Sequence, residues 1–471
     1  MDTKEILGYA AGSIGSAVLA VIILPLLSWY FPADDIGRIV LMQTAAGLTV
    51  SVLCLGLDQA YVREYYAAAD KDTLFKTLFL PPLLSAAAIA ALLLSRPSLP
   101  SEILFSLDDA AAGIGLVLFE LSFLPIRFLL LVLRMEGRAL AFSSAQLVSK
   151  LAILLPLTVG LLHFPANTAV LTAVYALANL AAAAFLLFQN RCRLKAVRRA
   201  PFSSAVLHRG LRYGIPIALS SIAYWGLASA DRLFLKKYAG LEQLGVYSMG
   251  ISFGGAALLF QSIFSTVWTP YIFRAIEANA PPARLSATAE SAAALLASAL
   301  CLTGIFSPLA SLLLPENYAA VRFIVVSCML PPLFCTLVEI SGIGLNVVRK
   351  TRPIALATLG ALAANLLLLG LAVPSGGARG AAVACAASFW LFFVFKTESS
   401  CRLWQPLKRL PLYMHTLFCL ASSAAYTCFG TPANYPLFAG VWAVYLAGCI
   451  LRHRKDLHKL FHYLKKQGFP L

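Results

Sequence analysis

The sequence has few charged residues and lacks the short motifs of soluble catalytic or nucleotide-binding sites. Only 12% of its 471 residues are charged, whereas a soluble domain usually has about 25%. GxxxxGKS, HExxH and GxSxG are all missing, which leaves ATP hydrolysis and hydrolase-type catalysis without support. The ten cysteines form no CxxC pair, so we interpret them as small buried hydrophobic residues and expect neither a metal site nor a cofactor.

Apolar residues are abundant instead, at 60% of the chain, which excludes an intrinsically disordered protein. Lipid cannot satisfy free backbone polar groups, and no β-barrel alternation is present, so long apolar segments are expected to be helices. The sequence therefore predicts an all-α membrane protein with about fourteen transmembrane helices. The predicted spans are residues 9–30, 39–57, 78–95, 110–133, 143–162, 167–188, 211–235, 244–266, 287–314, 320–342, 353–373, 380–396, 411–429 and 436–451.

The distribution of basic residues predicts the orientation of these spans. With both termini in the cytoplasm, 28 of the 37 Lys and Arg residues fall on the cytoplasmic side and six on the opposite side. The remaining three, Arg127, Lys150 and Arg232, lie inside spans. We therefore attribute the net charge of +16 to topology and to contact with anionic membrane lipids, and not to nucleic-acid binding.

A basic stretch divides the first twelve spans into six and six, and the two halves begin alike. The turn Phe31–Gly37 after span one is similar to the turn Tyr238–Gly245 after span seven. Two six-helix lobes related by a pseudo-twofold repeat would place a substrate site at their interface. The predicted organisation is an N-lobe (1–188), a basic cytoplasmic linker (189–212), a C-lobe (213–400), and two further helices with a basic amphipathic tail (401–471).

Ionisable residues inside spans are the candidate functional residues, because each costs roughly 2.5–3.5 kcal/mol at the bilayer centre. Arg127, Lys150 and Arg232 would suit an anionic passenger, since cationic side chains bind phosphate. Structural ion pairs are the alternative interpretation.

Acidic residues inside spans suit a different role. Glu120, Asp231 and Glu339 are candidates for coupling transport to H⁺ or Na⁺, because a buried carboxylate binds and releases a cation as its surroundings change. Asp58 and Glu290 lie near span ends and are interpreted as interfacial charges.

The region around span seven resembles a known family. Residues 212–220 read Arg-Tyr-Gly-Ile-Pro-Ile-Ala-Leu-Ser, and an Asp231-Arg-x-x-Leu segment is followed by Gly245-Val-Tyr247. With Asp35-Ile-Gly37 and Pro315-Glu-Asn-Tyr318, these residues resemble the polysaccharide transporter family, the O-antigen and capsule repeat-unit flippases of the MATE-like flippase superfamily. The resemblance covers spans one to twelve.

That resemblance implies a function. Members flip an undecaprenyl-diphosphate-linked oligosaccharide across the bacterial cytoplasmic (inner) membrane by alternating access, for surface polysaccharide or lipopolysaccharide biosynthesis, and are not enzymes. Contacts with the polysaccharide polymerase machinery are a further expectation. Fourteen spans exceed the twelve common in the family, and fourteen also occur in the related lipid II flippases.

Three alternatives stay open at this stage. They are a lipid II flippase, a drug/cation antiporter of the same superfamily, and a membrane-embedded glycan polymerase or ligase. An antiporter favours acidic cavities, and the enzymes generally need a large outer loop. Asp34-Asp35 lies in an outer loop of only about eight residues, so we interpret this acidic pair as the first turn of span two.

Overall fold

The computed structural model describes residues 3–160, 165–277, 283–348 and 350–466, and this part of the chain is helical, with no β-strand. Its long helices are α1 Thr3–Leu27, α2 Ala33–Cys54, α3 Lys71–Leu94, α4 Ala110–Met135, α5 Ala139–Gly160, α6 Thr168–Gln189, α7 Ser204–Tyr238, α8 Gly240–Glu277, α9 Ala283–Phe306, α10 Val321–Ser341, α11 and α12 (the two parts of Thr351–Leu403), α13 Arg409–Phe429 and α14 Tyr435–Lys466. Shorter helices are Leu57–Glu64, Leu99–Phe105, Arg191–Arg199, Pro308–Leu312, Ile343–Val347 and the 3₁₀ turn Glu316–Tyr318.

Each predicted span overlaps one of these long helices, which confirms the all-α membrane fold. By length and composition alone, nine helices among the described residues are able to cross a membrane. The predicted amphipathic face of the tail, residues 457–464, lies outside the described side chains, and the backbone of α14 continues as a helix to Lys466.

A glycine separates α11 from α12. Gly377 has φ 51° and ψ −131°, a conformation that only glycine adopts without strain. The helix axis therefore breaks at this residue. This confirms the prediction of two separate spans, residues 353–373 and 380–396.

Acidic and amide residues begin several helices, as the sequence indicates. Asp109 accepts hydrogen bonds from the backbone N–H groups of Ala111 and Ala112 at the start of α4. Asp34 and Asp35 lie in the first turn of α2, which confirms their interpretation as helix-start residues. Asp70 caps α3, where the Thr73 hydroxyl and two backbone N–H groups lower the pKa of its carboxyl.

The chain forms two compact units. The first consists of Met1–Lys236 and Gly240–Ser248, and the second of Lys237–Ala239 and Met249–Leu471. Helix α7 belongs to the first unit, so this unit continues beyond the linker predicted at 189–212. A Cβ on Gly214 of α7 would lie 2.5 Å from the carbonyl oxygen of Leu55, so the two backbones approach as closely as glycine allows.

The predicted linker itself contains a helix packed on the first unit. Val197 of Arg191–Arg199 is buried in the core, and Arg193 forms ion pairs with Glu136 and Asp72. The Lys76 ammonium donates a 2.6 Å hydrogen bond to the Ala200 carbonyl just beyond this helix. These contacts fix the segment against the ends of α3 and α4.

In the second unit, α10 is the central helix. Most of its residues are buried, and it packs against α9, α11–α12 and α13. Helix α14 packs against α9, where the Trp442 ring lies so close to Gly304 that a Cβ there would be 2.4 Å from it.

The two turns that are similar in sequence contact each other within the first unit. A Cβ on Gly37 would lie 2.4 Å from the Leu241 carbonyl oxygen, and a Cβ on Gly245 would lie 2.1 Å from the Ala33 carbonyl oxygen. Each glycine therefore allows the backbone of the other turn to approach, which gives the repeated Gly a packing role.

We expect Gly245→Ala to lower the free energy of unfolding by about 1–3 kcal/mol, because the added methyl group must displace backbone. The thermal midpoint of purified protein in detergent measures this effect. Gly448→Ala is the matched control, since a Cβ at Gly448 meets no atom within 4 Å. Equal midpoints for the two variants would contradict the packing role of Gly245.

Candidate substrate cavities

Two cavities with mixed polar and apolar linings flank α4 in the first unit. The smaller, which we name the Arg127 cavity, has a volume of about 410 Å³. The larger, the Lys150 cavity, has a volume of about 570 Å³. Phe123, Ile126 and Leu130 of α4 line both cavities, so this helix separates them.

The Arg127 cavity forms where α2 ends. Leu55 and Gly56 have φ values of 47° and 73°, which stop α2 and start the short helix Leu57–Glu64. This turn directs Asp58 toward α4, where its Oδ2 accepts hydrogen bonds from Arg127 Nη2 at 2.8 Å and Nε at 3.1 Å. Gln59 Nε2 donates to the same oxygen at 2.9 Å.

Exposure differs strongly between the two charges of this pair. Asp58 is 7% exposed, whereas 47% of the Arg127 side chain is accessible. The guanidinium therefore reaches the open space of the cavity while Asp58 balances its charge and fixes its position.

The Lys150 cavity has a different electrostatic character. Lys150 lies near the middle of α5 and is the only charged residue among the described residues that line this cavity. No carboxylate lies within ion-pair distance of Lys150 in the described part of the chain. The Lys150 side chain therefore lines this cavity without an acidic partner among the described residues.

Neutral polar residues surround this lysine. Ser149 donates a 3.0 Å hydrogen bond to Asn179 Oδ1, and Asn179 Nδ2 is buried with no partner among the residues described. The sequence analysis missed these groups because they carry no charge. Their signal was the presence of amides inside predicted spans, namely Gln43, Gln146 and Asn179.

Arg232 lies apart from both cavities. Its Nη1 donates to the Ala228 carbonyl at 3.1 Å and lies 3.8 Å from Asp231 Oδ1. Asp231 is buried and accepts hydrogen bonds from the Tyr247 hydroxyl and from the Arg232 backbone N–H. The motif residues Asp231, Arg232 and Tyr247 thus form one contact group, and the three predicted cations do not meet at one site.

The other two carboxylates lie in different units. In the first unit, Glu120 is two turns before Arg127 on α4, its carboxylate oxygens are buried, and the Thr49 side chain of α2 lies within hydrogen-bonding reach. In the second unit, Glu339 of α10 has one buried carboxylate oxygen without a hydrogen-bond partner among the described residues. Lys396 of α12 is close enough to Glu339 for electrostatic attraction.

The family comparison covers most of the residues that line the two cavities. A model described as polysaccharide biosynthesis protein matches residues 26–280, which is more than half of the chain and includes Arg127, Lys150 and Asn179. The chain belongs to the polysaccharide biosynthesis protein family. This confirms the resemblance identified in the sequence.

Solved structures with the same fold include a flippase and transporters. The lipid II flippase MurJ in an inward closed conformation is similar with a TM-score of 0.69 and 11% identity, over 95% of this chain and 99% of that chain. An inward-facing multidrug resistance MATE family transporter of the MOP superfamily is similar with a TM-score of 0.57 and 14% identity, over 82% and 95%. Its outward-facing counterpart has a TM-score of 0.54 at 14% identity, over 88% and 96%. The comparison with curated proteins gives no match.

Proposed function

We propose that this protein flips an undecaprenyl-diphosphate-linked oligosaccharide from the cytoplasmic to the outer leaflet of the bacterial inner membrane, by alternating access, for surface polysaccharide or lipopolysaccharide biosynthesis such as that of O-antigen. The observation that carries the proposal is the uncompensated ammonium of Lys150, which lines a polar cavity near the middle of a membrane helix. Such a charge is costly in hydrocarbon, and an anionic head group in the cavity offsets that cost.

The physical problem for a flippase is the head group. A diphosphate and several sugars must pass about 30 Å of hydrocarbon, and a bare charge is strongly disfavoured there. Polar side chains that line cavities inside the helical unit offer the head group hydrogen-bond partners in place of water along that path. Arg127 adds a planar guanidinium that suits phosphate oxygens, and Asp58 holds it in place when no ligand is bound.

This proposal gives Arg232 a smaller role in binding the anionic passenger than the sequence analysis predicted. Its guanidinium is engaged by the Ala228 carbonyl and by Asp231, so we assign attraction of the head group to Arg127 and Lys150. Within the described linings of the two cavities, Asp58 is the only acidic residue and is already paired, which favours an anionic over a cationic passenger.

The exposed side of the helix Arg191–Arg199 supports contact with anionic lipids. Arg191, Lys195, Arg198 and Arg199 are exposed there, while Val197 faces the core. In the predicted orientation, with both termini cytoplasmic, this basic face meets the anionic head groups of the inner leaflet. Contacts with the polymerase machinery stay a prediction.

We propose that transport is coupled to H⁺ or Na⁺ at the buried carboxylates, of which Glu120 has the clearest setting. Glu120→Gln keeps the shape and removes the ionisable group, so transport by this variant is expected to lose its acceleration by an imposed pH gradient. The measurement is the transport rate in proteoliposomes with and without the gradient. Glu316→Gln, at an exposed residue, is the control. Acceleration of the Glu120→Gln variant equal to that of the wild type would contradict this role.

Deletion of the gene in its source bacterium tests the function. A flippase deletion is expected to abolish surface glycan and to accumulate lipid-linked repeat units on the cytoplasmic leaflet, and the wild-type gene restores export. Accumulation of single repeat units on the outer leaflet would instead indicate a polymerase or ligase. Unchanged surface glycan would overturn the proposal.

A further inference from the structure

The Lys150 cavity has the hydrogen-bonding chemistry of a carbohydrate site. The amides of Gln43, Gln146 and Asn179 and the hydroxyls of Ser149 and Tyr175 line it, and both kinds of group donate and accept hydrogen bonds. Sugar hydroxyls also donate and accept, so they match this lining. Phosphate oxygens chiefly accept, so they match only the donors of this lining.

The charge of the cavity sets a limit on its ligand. Among the described residues lining it, Lys150 alone is charged, so the site has one positive charge to offer. A diphosphate brings at least two negative charges, of which this single ammonium balances one. A carboxylate brings one negative charge, which a single ammonium balances.

Asn179 supplies independent evidence that a polar ligand belongs here. This side chain is 5% exposed, and its Oδ1 is occupied by the Ser149 hydroxyl at 3.0 Å. Its Nδ2 has no partner among the described residues, although a buried amide donor is normally satisfied. A ligand oxygen in the cavity would accept that hydrogen bond.

Aromatic rings complete the lining. Phe119 lies 4.9 Å from Phe123 and 6.3 Å from Tyr175, measured between ring centroids, and all three residues line the cavity. Such rings provide apolar surface for the C–H groups of a pyranose ring. The volume of about 570 Å³ lies within the range of roughly 300–1,000 Å³ that is usual for small-molecule sites.

We propose that the Lys150 cavity binds a carboxylate-bearing sugar of the transported glycan. The carboxylate pairs with the Lys150 ammonium, and the sugar hydroxyls bond to the Asn179 amide and its neighbours. This proposal rests on the proposed function, because it identifies one sugar of the passenger that the flippase carries. It names acidic glycans, those with uronic-acid-type residues, as the preferred substrate class.

Binding of soluble sugars to the full-length protein in lipid nanodiscs tests the proposal. The probes are a disaccharide that contains glucuronic acid, the matched neutral disaccharide with a hydroxymethyl group in place of the carboxylate, and inorganic pyrophosphate. The wild type is expected to bind the acidic disaccharide at least tenfold more tightly than the neutral one. Lys150→Met is expected to remove this difference and Lys150→Arg to retain it, whereas Asn179→Leu weakens both sugars.

Three results would overturn the carboxylate assignment. They are equal affinity of the wild type for the two disaccharides, a preference that survives in Lys150→Met, and pyrophosphate binding that is stronger than sugar binding and is lost in Lys150→Met. Size-exclusion profiles identify any variant that fails to fold. If Lys150→Met fails to fold, the carboxylate assignment is tested by whether the wild type and Lys150→Arg prefer the acidic to the neutral disaccharide.

Failure of this proposal is distinguishable from failure of the flippase proposal. Blocked glycan export in the deletion strain, together with no acidic preference in nanodiscs, would leave the flippase and remove the sugar assignment. Normal export in the deletion strain, together with a Lys150-dependent acidic preference, would leave a sugar-binding site and remove the flippase.

Discussion

Replacing Lys150 with methionine is expected to reduce transport of an anionic lipid-linked glycan about ten- to hundredfold. A hydrogen bond to a charged group contributes about 1.5–3 kcal/mol, and each 1.4 kcal/mol corresponds to a factor of ten. Lys150 has no carboxylate partner in the described chain, so its charge is available to the passenger alone. The measurement is the initial transport rate in proteoliposomes.

Stability separates a functional loss at Lys150 from a structural one. Methionine fills a similar volume without a charge, so Lys150→Met is expected to raise the thermal midpoint or leave it unchanged. Lys150→Arg keeps the charge and should retain most of the transport. Lys237→Met is the matched control, because Lys237 is exposed and lies outside both cavities. Loss of transport in parallel with a lower thermal midpoint would contradict the role as a head-group ligand.

The second large effect is expected at the Arg127–Asp58 pair. Arg127→Gln leaves the buried Asp58 carboxylate without its charged partner, which costs about 1–3 kcal/mol of stability. We place the cost at the lower end of the values for broken ion pairs because 47% of the Arg127 side chain is accessible. The thermal midpoint and the transport rate are both expected to fall.

A double variant separates the two roles of this pair. Asp58→Asn combined with Arg127→Gln removes both charges and leaves two neutral amides, so it is expected to recover much of the lost stability. Transport should stay low, because the guanidinium that faces the cavity is absent. Recovery of transport together with stability would show that the pair is structural only.

The spans could be predicted from the sequence because they depend on local composition. Runs of apolar residues located the helices, and the gap between the predicted spans 353–373 and 380–396 contains Gly377, where α11 and α12 separate. The unit boundary was harder to predict. Helix α7 approaches the preceding helices closely at Gly214 and Leu55, a contact between residues far apart in sequence that neither hydropathy nor charge reveals.

The candidate site was only partly visible in the sequence, for a similar reason. Charge inside a span identified Arg127 and Lys150, but a single sequence does not say which of them has a partner. Asp58 follows the end of a predicted span, and the sequence does not show that the left-handed turn at Leu55 and Gly56 places it against Arg127. Neutral polar side chains such as that of Asn179 carry no charge, so they are recognised as candidate binding residues only when the structure shows the cavity they line.

Transport by the purified protein is the most direct test of the central claim, that cationic polar cavities inside the first unit carry an anionic lipid-linked glycan. A fluorescent oligosaccharide linked to undecaprenyl diphosphate is placed in one leaflet of proteoliposomes, and a membrane-impermeant quencher reports its appearance in the other leaflet. The account predicts movement of this lipid well above that in protein-free vesicles, and little movement of a matched lipid without the diphosphate or any acidic sugar. Equal movement of the charged and uncharged lipids, or no movement above the protein-free level, would contradict it.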